Sequence, residues 1–511
     1  MSSLWLNSSK NKATYPSITR NEEVDVCIIG GGLVGITSAY FLKDSGLKTL
    51  LIEKDKICSH VSGNSTAKIT SQHNLFYNYL INSFDKNFAK GYLKANEEAI
   101  IRIKNIIENE NIDCDFSVQD SYVYAYSEKD VQDIKDEVAA VKSLDFPCEF
   151  VEQLPLSIKS YGAIKFSNQA QFNPVKYAYA LANICSQKGI AIYENSKVIK
   201  IEKNDDNGYA IRTEENEIIA KHVILATHYP IINFPGFYFL KMYQSMSYVI
   251  AVDTKTELPD GMYINNSIPT YSFRTAMTDN KKLLIVAGSD HKTGEKINLE
   301  NAYKNLENKA KELYPDSEVL YRWCTEDCIS LDKVPYIGDF SSIMPNVYVA
   351  TGFKKWGITF SNIASKIITD KILGKENIYE DLFKATRLEP IKNHEELGNM
   401  IKESIHSLII NKLKDSPDTL KDVKNGEGKI IEINDTKVGV YKDKDGKCFF
   451  IKPVCAHLGC ELSFNNLEKT WDCPCHGSRY TYEGKVISEP AIHDLNRHGR
   501  NRWHIKLYRL V

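Results

Sequence analysis

The first clear apolar run, Val24-Asp25-Val26-Cys27-Ile28-Ile29, is short and rich in β-branched residues. It breaks at once into Gly30-Gly31-Gly32-Leu33-Val34-Gly35, and a helical pattern then continues through Lys43. That order predicts a strand, a tight glycine turn and a helix. A second apolar strand, Thr49-Leu50-Leu51-Ile52, ends in Glu53. Between residues 95 and 145 the pattern is helical and charged, with one strand expected at 121–126. Further strand-like runs lie at 190–201, 208–213, 222–227, 246–252, 283–288 and 347–351, and a helix is predicted over 359–373.

From 386 to 424 the chain becomes charged and helical in places, with a break at Lys414-Asp415-Ser416-Pro417-Asp418. Beyond it, 426–451 alternates short β-prone runs with turn residues such as Asp443-Lys444-Asp445-Gly446, the pattern of a small antiparallel domain. The expected organisation is therefore an α/β module over 1–387, a partly helical linker over 388–424 and an all-β module over 425–511.

Composition narrows the class. The 511 residues are 43% hydrophobic and 25% charged, enough to bury sizeable cores. With 64 Lys+Arg against 66 Asp+Glu, no large basic field is available to attract nucleic acid or anionic lipid. The N-terminal lead-in lacks the apolar core of a secretory signal, and no uncharged apolar stretch is long enough to span a bilayer, so the chain reads as cytoplasmic with no integral membrane segment. Twelve cysteines spread over so long a chain do not make a disulfide scaffold. Only Cys455, Cys460, Cys473 and Cys475 have a telling spacing.

Cys455-Ala456-His457-Leu458-Gly459-Cys460 is followed, after twelve residues, by Cys473-Pro474-Cys475-His476-Gly477-Ser478-Arg479-Tyr480. The pairing of C-x-H with C-x-x-H resembles Rieske centres, in which two thiolates hold one iron of a [2Fe–2S] cluster and two imidazoles hold the other. Neutral imidazoles leave such a cluster less negative than four thiolates would, so it accepts an electron more readily. The resemblance implies Cys455, His457, Cys473 and His476 as ligands and a disulfide between Cys460 and Cys475. It further implies hydroxyl donors to the cluster sulfurs at Ser478 and Tyr480, and a covering proline loop at Glu489-Pro490-Ala491. The competing reading is a structural zinc site, which two Cys and two His would also suit, but it gives Cys460, Cys475, Ser478 and Tyr480 no shared role.

At the other end of the chain, Gly30, Gly32 and Gly35 lie between a predicted strand and helix, and Glu53 ends the next strand. In that context the glycines let backbone approach a pyrophosphate at a helix N-terminus, and the carboxylate accepts hydrogen bonds from a ribose. Residues 24–387 resemble the D-amino-acid-oxidase-like FAD-dependent oxidoreductases. That implies an α/β FAD-binding Rossmann-type domain with an antiparallel β substrate subdomain, ahead of the small all-β Rieske domain. The resemblance is carried by Ser62-Gly63-Asn64-Ser65-Thr66-Ala67-Lys68, by Val198, by Ala226-Thr227, and by two late blocks, Asp332 to Gly338 and Thr351-Gly352-Phe353-Lys354-Lys355-Trp356-Gly357-Ile358-Thr359. It implies FAD contacts at Gly30, Gly32, Gly35, Glu53, Lys54, Ser62, Thr66, Ala67, Lys68, Val198, Ala226, Thr227, Gly338, Gly352, Trp356, Gly357, Ile358 and Thr359. With the run from Thr66 to His73, the fused pair is similar to a bacterial group of such oxidoreductases that carry a Rieske domain.

Departures from the family bear on the substrate. Amino-acid-oxidising relatives clamp the substrate carboxylate with an arginine, whose planar guanidinium suits it. Here Asp327, in Trp323-Cys324-Thr325-Glu326-Asp327-Cys328, falls at that place, which favours a cationic amine or a neutral substrate. Thr359 stands where sarcosine-oxidase-like members place a lysine for reaction with oxygen, which favours a dehydrogenase. Lys68, His73 and Arg274 are further candidates for the pocket, each with a structural role as the commoner alternative; His291 has no assigned chemistry. The expected activity is oxidation of a small organic substrate, an amine for choice, with electrons passing from FAD to the cluster and on to an external acceptor. The alternatives are a flavin and iron–sulfur electron-transfer or sensing protein without an organic substrate, and a Rieske oxygenase, for which no 2-His-1-carboxylate set is visible.

Overall fold

The computed structural model describes residues 2–9, 13–204, 208–278, 281–296, 299, 301–387, 419–433 and 436–496. The chain forms two compact units, the first from Met1–His228, Met246–Asp290 and Ala302–Glu389, the second from Tyr229–Ser245, His291–Asn301 and Pro390–Val511.

In the first unit the Glu22–Ile29 strand is the centre of a mainly parallel sheet, paired on one side with Thr49–Ile52 and on the other with Glu217–Leu225. Ala191–Tyr193 extends the first side and Met344–Thr351 the second, both in parallel register. Val26 through Ile29 and all of Thr49–Ile52 are buried, because both faces of a parallel sheet are covered. The Leu33–Leu42 helix is buried on nearly every side and packs against the helices Pro174–Gln187 and Gly357–Ile372. A second, mixed sheet carries Tyr271–Thr278, Met262–Asn265, Ser117–Tyr124 and Ala163–Gln171 as neighbours, ending in the short Lys68–Ile69 strand.

The stretch predicted as helical over 95–145 resolves into Lys86–Asn109, the strand Ser117–Tyr124 and Val131–Ser143. The run at 190–201 is two strands, Ala191–Tyr193 and Lys200–Lys203, rather than one. Between them the backbone turns at Asn195 (φ 50°) so that Asn195 and Ser196 donate to the carbonyls of Asp55 and Glu53. The polar lead-in also holds more than its pattern predicts: Leu4–Ser8 is a short helix with Leu4 and Trp5 buried.

In the second unit a three-stranded antiparallel sheet, Glu427–Ile433, Thr436–Lys442 and Cys448–Ile451, accompanies a four-stranded one, Ser463–Asn465, Thr470–Asp472, Arg479–Thr481 and Val486–Ser488. Leu462, Trp471 and Tyr480 form the core with the four clustered cysteines. The turn expected at 443–446 is closed by the Asp443 carboxylate, which accepts from the N–H groups of Asp445 and Lys447. Of the linker expected over 388–424, residues 388–418 with the break at 414–418 lie outside the described residues, as does the tail beyond 496, and Leu420–Asp422 forms a single 3-10 turn.

Candidate functional site

The second unit gathers the clustered cysteines and histidines on two loops. Cys460 and Cys475 are joined in a disulfide, and the Cys473 sulfur lies within 4.8 Å of both. Cys455 and Cys473 remain thiols, both buried. The Tyr480 hydroxyl accepts from the Ala456 N–H at 3.0 Å, which leaves its own proton for the Cys455 sulfur at 3.2 Å. A hydrogen bond from Cys473, with others from Tyr480, the His457 N–H and Ser478, outweighs burial and lowers Cys455 to about 6, while its partner Cys473 is driven well upward. One sulfur of the pair is therefore ready to ligate as thiolate. Ser478 also accepts from the Ala491 N–H at 3.0 Å, tying the loop after Pro490 to the cysteine loop.

The imidazoles of His457 and His476 lie with ring centroids 5.1 Å apart. Nδ1 of each is buried with no hydrogen-bond partner, the condition of a nitrogen reserved for a metal. Burial lowers His457 to about 4, and burial reinforced by His457 and Lys292 lowers His476 to about 3. Neutral rings are what iron ligation requires. Two thiols, two imidazole Nδ1 atoms and two hydroxyl donors fit a [2Fe–2S] cluster, with Cys455, Cys473, His457 and His476 as its holders.

The second unit also contains residues that no spacing in the sequence revealed. From the stretch Tyr229–Ser245, Asn233 Oδ1 lies 2.6 Å from His457 Nε2, and the Phe239 ring stands edge-on to both histidines. Gln244 Nε2 donates to the carbonyls of His476, at 3.0 Å, and Glu489, at 2.7 Å. Residues 229–245 are rich in aromatic and apolar side chains, Phe234, Phe237, Tyr238 and Phe239 among them, but nothing in that pattern ties the stretch to the cysteine loops, and only the contacts within the unit expose its role.

In the first unit the glycine turn has the shape a dinucleotide needs. Gly30 holds φ at 111°, and a side chain there would meet the Ala226 carbonyl at 2.4 Å; at Gly35 it would meet the Gly30 carbonyl at 1.9 Å. Gly32 caps the Leu33–Leu42 helix, and Ser62 accepts from the Leu33 N–H at 3.1 Å. Both oxygens of the buried Glu53 carboxylate accept backbone N–H groups, Gly31 at 2.7 Å and Asp55 at 2.9 Å, and burial raises its pKa. Each oxygen keeps a second lone pair for a ribose hydroxyl.

The 62–68 segment is pinned by side chains from afar. Trp5 and Trp323 donate their indole N–H groups to the carbonyls of Ser65 and Asn64, both at 2.8 Å. Arg274, whose guanidinium stacks on Trp5, donates to the carbonyls of Thr66, Ala67 and Phe172. These bonds commit Arg274 to holding backbone, and burial lowers it to about 9. Lys68 contacts the Ser272 hydroxyl and donates to the Tyr263 carbonyl, and burial, then Arg274, lowers it to about 7. His73 is likewise engaged at both nitrogens, by Tyr92 Oη at 2.6 Å and the Thr70 carbonyl at 2.8 Å, while its ring stacks on Trp356. The buried hydroxyls of Ser65 and Thr359 lack partners, although both lie in blocks expected to meet FAD, so they fit a polar cofactor there. Thr359 belongs to the first turn of the Gly357–Ile372 helix, and Val198 is buried just before the Lys200–Lys203 strand.

Asp327 lies on the Glu318–Ser330 strand, and burial raises it to about 6 against the opposing charge of Lys355. Lys355 pairs with Asp290 at 2.7 Å and donates to Ser247 at 3.1 Å. One lysine thus serves two carboxylates, leaving a net negative site. His291 is buried, and its carbonyl accepts from Ser245 at 3.2 Å.

Comparison with known proteins agrees with this geometry. Residues 25–371 match the FAD dependent oxidoreductase family, and residues 418–499 match the Rieske [2Fe–2S] domain, which sets the zinc alternative aside. YhfW of Bacillus subtilis (strain 168), whose name carries the words Rieske 2Fe-2S iron-sulfur protein, is 35% identical over 493 residues, covering 96% of this chain and 97% of its own. The gamma-glutamylputrescine oxidoreductase of Escherichia coli (strain K12) is 21% identical over 394 residues, covering 73% of this chain and 89% of its own. Among solved structures, glycine oxidase from Geobacillus kaustophilus superposes with a TM-score of 0.61 at 19% identity, covering 72% of this chain and 100% of that one. Among the described residues no helix is long and apolar enough to cross a membrane. The chain belongs to the FAD dependent oxidoreductase family and carries a C-terminal Rieske domain, and its cofactors are FAD and a [2Fe–2S] cluster.

Proposed function

We propose that the protein is a dehydrogenase of a small organic amine, passing electrons from FAD to the Rieske cluster and on to an external acceptor. The observation that carries the substrate class is Asp327, a carboxylate that feels the Lys355–Asp290 ion pair; the family resemblance sets it where amino-acid-oxidising relatives keep an arginine. A cationic ammonium finds an attractive partner in such a site, and a substrate carboxylate a repulsive one. The Escherichia coli relative is named for a substrate that contains a putrescine amine, which accords with an amine substrate.

Bound FAD supplies hydride acceptance from the C–H bond next to nitrogen and one-electron release to the cluster. The chain supplies the setting. Asp327 orients the ammonium, and Lys355 holds Asp290 so that the site carries one spare negative charge. Thr359, in place of a lysine, leaves the first turn of its helix without the cation that would favour oxygen.

The test is anaerobic mixing with amines and with amino acids, following flavin bleaching and the reduced cluster's paramagnetic signal together. Amines should reduce both centres, and Asp327→Arg should invert the preference toward amino acids. Unchanged preference in that variant would sink the assignment of Asp327, and failure of every amine to bleach the flavin would favour the electron-transfer reading instead.

A further inference from the structure

Within the second unit, the stretch Tyr229–Ser245 treats the two cluster histidines differently. A histidine that ligates iron through Nδ1 carries its proton on Nε2 and must donate there. At His457 that donor faces Asn233 at 2.6 Å, so the facing atom is the carboxamide oxygen. Asn233 is itself held, since its backbone carbonyl accepts from the Phe237 N–H at 3.0 Å. At His476 the same stretch grips the backbone instead, through Gln244. No described residue accepts a hydrogen bond from His476 Nε2. Gln244 is anchored in turn, because its carbonyl accepts from the Thr293 N–H at 2.9 Å.

We infer that Asn233 is a positioning residue for the cluster: by accepting the Nε2 proton of His457 it fixes that ring and tunes the cluster downward in potential. The physical basis is electron donation. A hydrogen bond accepted from Nε2–H pushes density into the imidazole, makes Nδ1 a stronger ligand and favours the oxidised cluster. His457 and His476, alike as ligands, thereby become unequal. The inference rests on the cluster and not on the substrate, so it stands or falls separately from the amine assignment.

The experiment is a redox titration of the full chain, purified anaerobically, read by the resonance of the reduced cluster, with iron and sulfide measured per chain. Asn233→Leu keeps the bulk and removes the acceptor, so the potential should rise, by roughly a tenfold change in the reduction equilibrium, or about 59 mV for one electron. Asn233→Asp offers a stronger acceptor, and the potential should fall. Opposite shifts are a signature that a merely structural role would not produce, and retention of cluster in Asn233→Asp with its loss in Asn233→Leu would support the same conclusion. Unchanged potentials, shifts of one sign in both variants, or loss of the cluster from both would overturn it.

Discussion

A carboxyl group raised to about 6 by burial, as Asp327 is, has a definite signature in pH. The folded state favours its protonated form, so full stability is present below the ordinary carboxylate range and declines as pH climbs toward 6. Asp327→Asn should therefore melt at the same temperature as the parent near pH 4 and above it near pH 7, a comparison that calorimetry makes directly. For catalysis the sign is opposite: amine turnover at limiting substrate should rise as pH passes about 6, because only the ionised carboxylate attracts an ammonium, and the asparagine variant should lose that limb. Gly35 offers a sharper test at the other cofactor. Any side chain there collides with the Gly30 carbonyl, so Gly35→Ala should purify with little flavin absorbance while the cluster spectrum persists.

At the scale of elements, the short Leu4–Ser8 helix acts well beyond its length. Trp5 is buried and holds the Ser65 carbonyl, so Trp5→Ala should cost about 3–5 kcal/mol and release flavin more readily, measurable by thermal melting and by flavin fluorescence in the filtrate. The disulfide closes a loop with a sequence separation of 15, and replacing Cys460 and Cys475 together by serine should remove about 3 kcal/mol from the Rieske module, with cluster loss on heating as the readout. The glycine turn and its flanking strands were legible in the sequence because local pattern and tertiary fate agree there: Val26–Ile29 is buried on both faces and reads as continuously apolar. The cluster loops were legible for a different reason, since the four expected ligands and their supporting residues are packed into 455–480. Trp5, Trp323 and Arg274 were not legible as a group, because they meet the 62–68 segment from three distant places and each alone looks like ordinary core. Asn233 was hidden in the same way. The strand expected across 190–201 failed where backbone bonds to residues 53 and 55 outbid a continuous ladder.

For the whole molecule, two cofactors on one chain set a stoichiometry. A flavin takes two electrons and the cluster one, so reductive titration should end at about three electrons per chain, with both absorbance bands responding. An endpoint near two would mean that the cluster is missing from the preparation, and an endpoint near one that the flavin is.

The second unit draws on three separated stretches of chain, and the Rieske match covers only the last of them. Cutting before residue 418 would yield a fragment that retains all four residues expected to hold the iron yet leaves behind the amide opposite one of them, the phenyl ring beside two of them and the glutamine that bridges their loops. Such a cassette, transplanted to another flavoprotein, would carry the metal's address without its local climate, so its electrochemistry should differ from that of the parent even when its iron content is complete.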